Sequence, residues 1–143
     1  MKKTILIIIF IINSNIFATE IIPLFRLSYD YNLGFTYGLG ACISNSMKDG
    51  GIYEGIYSMY TWSKKNAGTN ISIGFQSGVG GIASGAYSIN RMINSQNQTF
   101  WGLEYNPHVF IFDGKIGIMN KDFKHLFDIK NYKINTSIGL GLF

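Results

Sequence analysis

The chain has 143 residues, of which 14% are charged and 15% aromatic, and it contains 17 glycines and a single cysteine. An ordinary soluble domain has roughly 25% charged residues, so this composition argues against a charged, water-facing coat. The lone Cys42 excludes an internal disulfide. Removing residues 1–18 takes two lysines and no acid from the 12 basic and 8 acidic residues, and the remaining 10 against 8 excludes a nucleic-acid footprint.

Residues 1–18 have the pattern of an export signal. Two lysines precede an apolar run over residues 5–12, and a small residue, Ala18, ends the segment. The apolar run is shorter than the roughly 20 residues of a transmembrane helix, and it fits the core of a signal peptide. We therefore predict cleavage between Ala18 and Thr19, with residues 19–143 forming one domain.

Strict alternation begins at position 25 and continues to position 43. Every odd position is apolar or aromatic, and the even positions are mostly small or polar. A two-residue period predicts extended strand with one apolar face. At about 3.3 Å per residue the run would reach roughly 60 Å, far beyond the ~9–11 residues of a membrane-crossing strand. We therefore expect a three-residue turn near Asp30, Tyr31 and Asn32, which preserves the parity of the alternation.

The rest of the chain continues in short segments of the same kind. Residues 51–62 are ambiguous, because Ile52, Ile56 and Tyr60 recur at helical spacing while the β-branched and aromatic content favours strand. Six strands are compatible with the pattern, because the third and fifth segments are weak, but eight fit best. The predicted strands are 22–30, 33–44, 51–62, 69–79, 82–92, 99–112, 115–120 and 131–142.

Two local signals shape the second half of the chain. Pro107 interrupts its strand, because proline cannot donate a hydrogen bond to a ladder. Asp113-Gly114 is the strongest short hairpin signal in the sequence. A two-residue loop there would pair Phe112 with Lys115 and would align apolar partners on one face.

Residues 121–131 leave the alternating pattern. The spacing of Phe123, Leu126, Phe127 and Lys130 indicates one or two turns of amphipathic helix, and an irregular segment fits equally well. Such a segment would rest on a membrane interface or cover a barrel mouth.

The segments together predict an all-β fold, an antiparallel up-and-down barrel of about eight strands with a short helical or irregular segment before the last strand. A soluble barrel would bury the apolar face and carry charges outside. Here the second face is mostly Gly, Ser and Asn, which suits the cramped lumen of a narrow barrel whose aromatic face meets lipid.

An export signal, short alternating strands and a glycine-rich last strand ending in Phe143 resemble the small outer-membrane β-barrels of Gram-negative bacteria. The resemblance covers the whole mature chain as a pattern. It implies location in the bacterial outer membrane, outer-membrane lipid as a partner, and recognition of the last strand by the barrel-assembly machinery. The residues that match the assembly signal are Tyr132, Ile134, Ile138, Leu140, Leu142 and Phe143.

Charged residues inside the predicted strands are the candidates for a polar lumen. Those that fall on the small-residue face would point inward, and buried charges require partners. Arg26, Glu104 and Lys133 are the candidate lumen charges, and their pairing would fill the barrel instead of leaving an open pore.

No catalytic, cofactor or metal site is predicted. His108 and His125 lack metal-ligand spacing, and no G-x-S-x-G motif occurs. The glycine-rich stretch at residues 78–83 fits a dinucleotide fingerprint only loosely, because no helical pattern follows it.

Three functions remain open from the sequence. A small outer-membrane barrel with a structural or surface-interaction role fits best, although the pattern identifies no surface ligand. The alternatives are a soluble periplasmic or secreted barrel that binds a small apolar ligand inside, with the aromatic face lining the pocket, and a membrane-embedded lipid hydrolase.

Overall fold

A computed structural model describes residues 18–45, 51–65, 67–80, 82–125 and 132–142. These residues form a closed barrel of eight antiparallel strands in chain order. The predicted all-β barrel and its eight strands are therefore confirmed, while the predicted signal segment before position 18 lies outside the described residues. The strands are β1 (Ala18–Asp30), β2 (Gly34–Asn45), β3 (Ile52–Ser63), β4 (Gly68–Val79), β5 (Ala83–Asn94), β6 (Thr99–Val109), β7 (Phe112–Asn120) and β8 (Lys133–Leu142).

The alternation of the sequence becomes the two walls of the barrel. Large apolar side chains point outward, and Phe75 and Ile138 are each 73% exposed. Small and polar side chains point inward, where most are buried. The ladder that closes the barrel joins β1 to β8 through six residue pairs, from Phe25–Leu142 to Asp30–Ser137.

The first turn is close to its predicted place. The loop comprises Tyr31, Asn32 and Leu33, so it has the predicted three residues and leaves the parity unbroken. The Asp30 carboxylate accepts hydrogen bonds from the backbone N–H of Asn32 at 2.8 Å and of Leu33 at 3.0 Å. The Leu33 side chain is buried in the barrel, because the turn folds it over the end of the interior.

The predicted hairpin turn at Asp113-Gly114 is wrong. The turn lies at residues 110–111, β6 runs through Pro107, and β7 starts at Phe112, with Val109 paired to Phe112. Neither turn residue favours such a bend, and Phe110 has a φ of 54°, which is unusual for a residue with a side chain. The ladder continues past Asp113 because that side chain has an ion-pair partner inside the barrel.

The ambiguous third segment is a strand. Ile52, Ile56 and Tyr60 point outward, and Tyr53 and Tyr57 point inward and are buried. The sequence resembles a helix here because both the outward and the inward face of this strand carry large residues.

The two ends of the barrel differ in what they hold. The terminal rim is the end of the barrel where β1, β3, β5 and β7 begin and where β2, β4, β6 and β8 end. The distal rim is the opposite end, where β1, β3, β5 and β7 end and where β2, β4, β6 and β8 begin. On the distal rim, Phe123–His125 forms a single 3-10 turn, and residues 126–131 of the predicted helical segment lie outside the described residues. Within the part of the chain that the structure describes, no helix is long and apolar enough to cross a membrane.

Candidate functional site

The interior of the barrel is layered from one rim to the other. A polar band in the middle contains two buried cations, Arg26 and Lys115, and three buried carboxylates, Asp30, Glu104 and Asp113. Apolar clusters lie on either side of it. The cluster toward the terminal rim contains Leu24, Cys42, Tyr53, Tyr57, Met59 and Ala86, and the cluster toward the distal rim contains Leu33, Met92, Phe100 and Met119.

Arg26 and Asp113 form the first ion pair of the polar band. The Arg26 Nε lies 2.6 Å from Asp113 Oδ2, and its Nη2 donates to Asp113 Oδ1 at 2.9 Å. The third guanidinium nitrogen, Nη1, donates to the Asn106 side-chain oxygen at 3.2 Å. The two side chains are only 3% and 1% exposed. This is a bidentate, desolvated ion pair, which restricts the relative orientation of the two side chains.

Lys115 and Asp30 form the second ion pair, and it is equally buried. Both pairs connect β7 to β1, although β8 lies between these strands. Lys115 and Asp30 are each ladder neighbours of Ser137. The ion pairs therefore pass across the inner face of β8, the strand that closes the barrel.

The inner face of β8 leaves room for this arrangement because it carries small residues. At Gly139, a Cβ would lie 2.2 Å from the Leu27 carbonyl oxygen and 2.5 Å from the Ser28 Cβ. Only glycine fits a backbone approached that closely. The glycine-rich last strand thus has a structural reason that is independent of the predicted assembly signal.

Glu104 is held by neutral donors. Its Oε1 accepts hydrogen bonds from Ser72, from Ser88 at 3.3 Å and from Asn106 at 3.4 Å, and its Oε2 accepts one from Asn135 at 3.2 Å. Because Asn106 also accepts from Arg26, the carboxylate and the first ion pair belong to one network. Buried charges are stable only when they are hydrogen-bonded in this way.

The three candidate lumen charges occupy different places. Arg26 and Glu104 are buried at the centre of the network. Lys133 is exposed at the start of β8, where its ammonium lies 4.5 Å from the centre of the Phe100 ring. Lys133 therefore lies at the mouth of the barrel and not in the polar band.

Of the four residues in the two ion pairs, only Arg26 is among the lumen charges predicted from the sequence, and Asp30 is predicted at a turn. Asp113 was assigned to a turn, and Lys115 was placed directly after that turn. Both side chains have the inward parity of β7, and a turn three residues earlier places Asp113 within that strand.

The residues that match the assembly signal divide by position. Ile134, Ile138, Leu140 and Leu142 are exposed on the outer face of β8. Tyr132 precedes the strand, and Phe143 lies outside the described residues.

The interior holds three residues of the types used in hydrolytic sites on adjacent strands. Ser84, His108 and Asp113 are ladder neighbours on β5, β6 and β7. A triad needs the carboxylate to orient the histidine, but both oxygens of Asp113 are engaged by Arg26. Among the described residues, no group of three or more His, Cys, Asp and Glu side chains could hold a metal ion.

The outer wall is apolar and has aromatic clusters toward the distal rim. Trp62 stacks with Tyr37 and with Tyr60, each at 5.9 Å between ring centres. Trp101 meets the edge of Phe123 at 5.3 Å. Both tryptophans of the chain therefore lie near one end of the barrel.

Comparison with protein-family models, curated proteins and solved structures finds no match to this chain. The function is therefore inferred from the fold and from the chemistry of the inner and outer walls of the barrel.

Proposed function

We propose that this protein is a small membrane-spanning β-barrel of the bacterial outer membrane, with a structural or surface-interaction role. The observation that carries the proposal is the inverted distribution of polarity: ion pairs are buried inside, and large apolar side chains such as Phe75, Tyr87 and Ile138 are more than 70% exposed outside. Water would penalise that outer wall, whereas hydrocarbon would solvate it.

The backbone also suits a membrane. A closed barrel pairs the strands with one another and so satisfies their hydrogen bonds without water. Backbone groups of the turn between β6 and β7 are hydrogen-bonded as well. Phe110 N–H donates to the Ile82 carbonyl at 2.7 Å, and the Ile111 carbonyl accepts from Gly141 N–H at 2.8 Å. Strands of 9 to 13 residues match the ~9–11 residues needed to cross hydrocarbon at a tilt.

The arrangement of the interior favours a structural or surface role over transport. Apolar clusters lie toward both ends of the ion-pair band, so the described side chains fill the cross-section as expected for a narrow barrel. The soluble alternative would use the aromatic face as its pocket lining, but that face lies outside. The outer-membrane location itself rests on the predicted export signal and on the resemblance of the last strand.

The test is the state of the protein in cells and in detergent. We expect it in the outer-membrane fraction, and we expect the folded form to migrate faster than the boiled form on a cold denaturing gel. Recovery in the soluble fraction, with identical mobility before and after boiling, would refute the proposal.

A further inference from the structure

The exposed charges are segregated between the two ends of the barrel. Among the described residues, every exposed cation lies on the distal rim, and the exposed acids of the terminal rim are Glu20 and Glu54. Of the acids that the structure describes at the distal rim, Asp122 is the exposed one. The exposed cations are Lys64, Lys65, Arg91, Lys121, Lys124 and Lys133.

One part of the distal rim combines these cations with an aromatic platform. Arg91 on β5 is the ladder partner of Trp101 on β6, and its guanidinium carbon lies 5.6 Å from the centre of the indole ring. Phe123 packs on the same indole through its edge. Lys121 and Lys124 flank Phe123 in the chain and are exposed. We call Arg91, Trp101, Phe123, Lys121 and Lys124 the Trp101 platform.

The Trp101 platform has the chemistry of a phosphate site at a membrane surface. An exposed guanidinium stacked over an indole keeps its N–H edges available, and those edges match phosphate oxygens in a forked geometry. Among the described residues, no carboxylate forms an ion pair with Arg91. Trp side chains also favour the headgroup level of a bilayer.

We propose that the Trp101 platform binds the phosphate group of an anionic lipid, so that the distal rim faces the leaflet richer in such lipids. The inference rests on the proposed membrane location of the barrel. Each cation near an anionic surface contributes about 1 kcal/mol, which corresponds to about a fivefold change in affinity.

The experiment uses the tryptophan of the platform as its own reporter. The chain has two tryptophans, so Trp62→Phe leaves Trp101 as the only one. The refolded barrel is placed in phosphatidylcholine vesicles with increasing phosphatidylglycerol, and Trp101 emission is followed. We expect a saturable change with phosphatidylglycerol that added salt weakens. If Trp62→Phe does not fold, the difference between wild type and Arg91→Gln provides the same readout.

Three matched variants locate the effect. Arg91→Gln should require about fivefold more phosphatidylglycerol, Arg91→Lys should recover part of that loss, and Glu54→Gln on the terminal rim should change nothing. In Trp101→Phe, the remaining Trp62 should not respond. An equal response from Trp62 would show diffuse rim charge and overturn the site.

Two further outcomes separate the sources of failure. An equal change with millimolar inorganic phosphate would identify a free-anion site and overturn the lipid assignment. A barrel that is folded in vesicles but indifferent to phosphatidylglycerol would overturn this inference and leave the proposed function standing. A protein that does not enter vesicles at all would overturn both.

Discussion

The inner wall is filled in two different ways on the two sides of the barrel. Between β2 and β3, Gly40 lies against Met59: a Cβ at Gly40 would lie 2.2 Å from the Ser58 carbonyl oxygen and 3.2 Å from the Met59 sulfur. Across β8, Gly139 is equally confined, but the long side chains beside the strand are charged and come from β7 and β1.

Both places follow the same packing rule, but the side chains that fill the space are apolar in one and charged in the other. In both places a glycine makes room and a long neighbouring side chain fills the space, as narrow barrels require. The charged version occurs where β8 meets β1, the junction that joins the two ends of the chain. We interpret the ion pairs as devices that fix the closing register, since directional contacts discriminate against a slipped ladder more strongly than apolar packing does.

Removing one partner of an ion pair beside β8 should have the largest effect on stability. Asp113→Ala leaves the Arg26 guanidinium buried without its partner, and we expect a loss of about 3–5 kcal/mol in the free energy of unfolding. Adding Arg26→Leu should recover most of that loss, because the orphan charge is then gone. The measurement is the urea midpoint of the lipid-embedded barrel at unchanged slope. A double variant no more stable than Asp113→Ala would contradict the pairing.

Breaking the apolar side should cost somewhat less. Met59 is 1% exposed, and Met59→Ala should lose about 2–5 kcal/mol because a cavity remains beside Gly40. Met59→Leu, which conserves volume, serves as the control and should cost less than about 1.5 kcal/mol. A loss with Met59→Leu as large as the loss with Met59→Ala would contradict this packing.

The inner face of β8 provides a finer test of the charged side. Ser137 lies between its ladder neighbours Lys115 and Asp30, so Ser137→Lys adds volume and a competing cation beside an existing pair. We expect a loss of about 1–3 kcal/mol in the same unfolding assay. Ser77→Lys, on the exposed face of β4 near the terminal rim, is the matched control and should cost about 0–1 kcal/mol. Equal effects of the two lysines would contradict the assignment of Ser137 to the interior.

The sequence predicted most of the fold because the two-residue period is a local signal. In β1, β2, β4 and β8 one face is apolar and the other small or polar. The predicted bounds of β2, β4 and β8 agree with the structure within two residues, whereas β1 begins four residues earlier than predicted. The predicted register of β6 and β7 is wrong because an Asp-Gly pair occurs in two structural contexts. In many hairpins an Asp-Gly pair forms the turn. In this barrel Asp113 lies within β7, where it faces Gly139 across the ladder and binds Arg26 from the inner wall.

The polar band could be predicted only in part. Arg26 and Glu104 are identifiable because they interrupt small-residue faces, yet nothing in the sequence pairs Arg26 with Asp113, 87 positions away. That partner depends on the closure of the barrel, which brings β7 and β1 to either side of β8. The turn at Phe110 carries no turn-forming residue, so no local signal marks it.

The central claim is that the outer wall meets hydrocarbon, and the quenching of a tryptophan at position 138 tests it most directly. In a Trp62→Phe, Trp101→Phe background, Ile138→Trp places one indole on the outer face of β8, where Ile138 is 73% exposed. In vesicles whose acyl chains carry bromine, we predict strong quenching of this tryptophan and weak quenching by aqueous acrylamide. Strong quenching by acrylamide with no effect of the brominated chains would show that the wall faces water and would contradict the account.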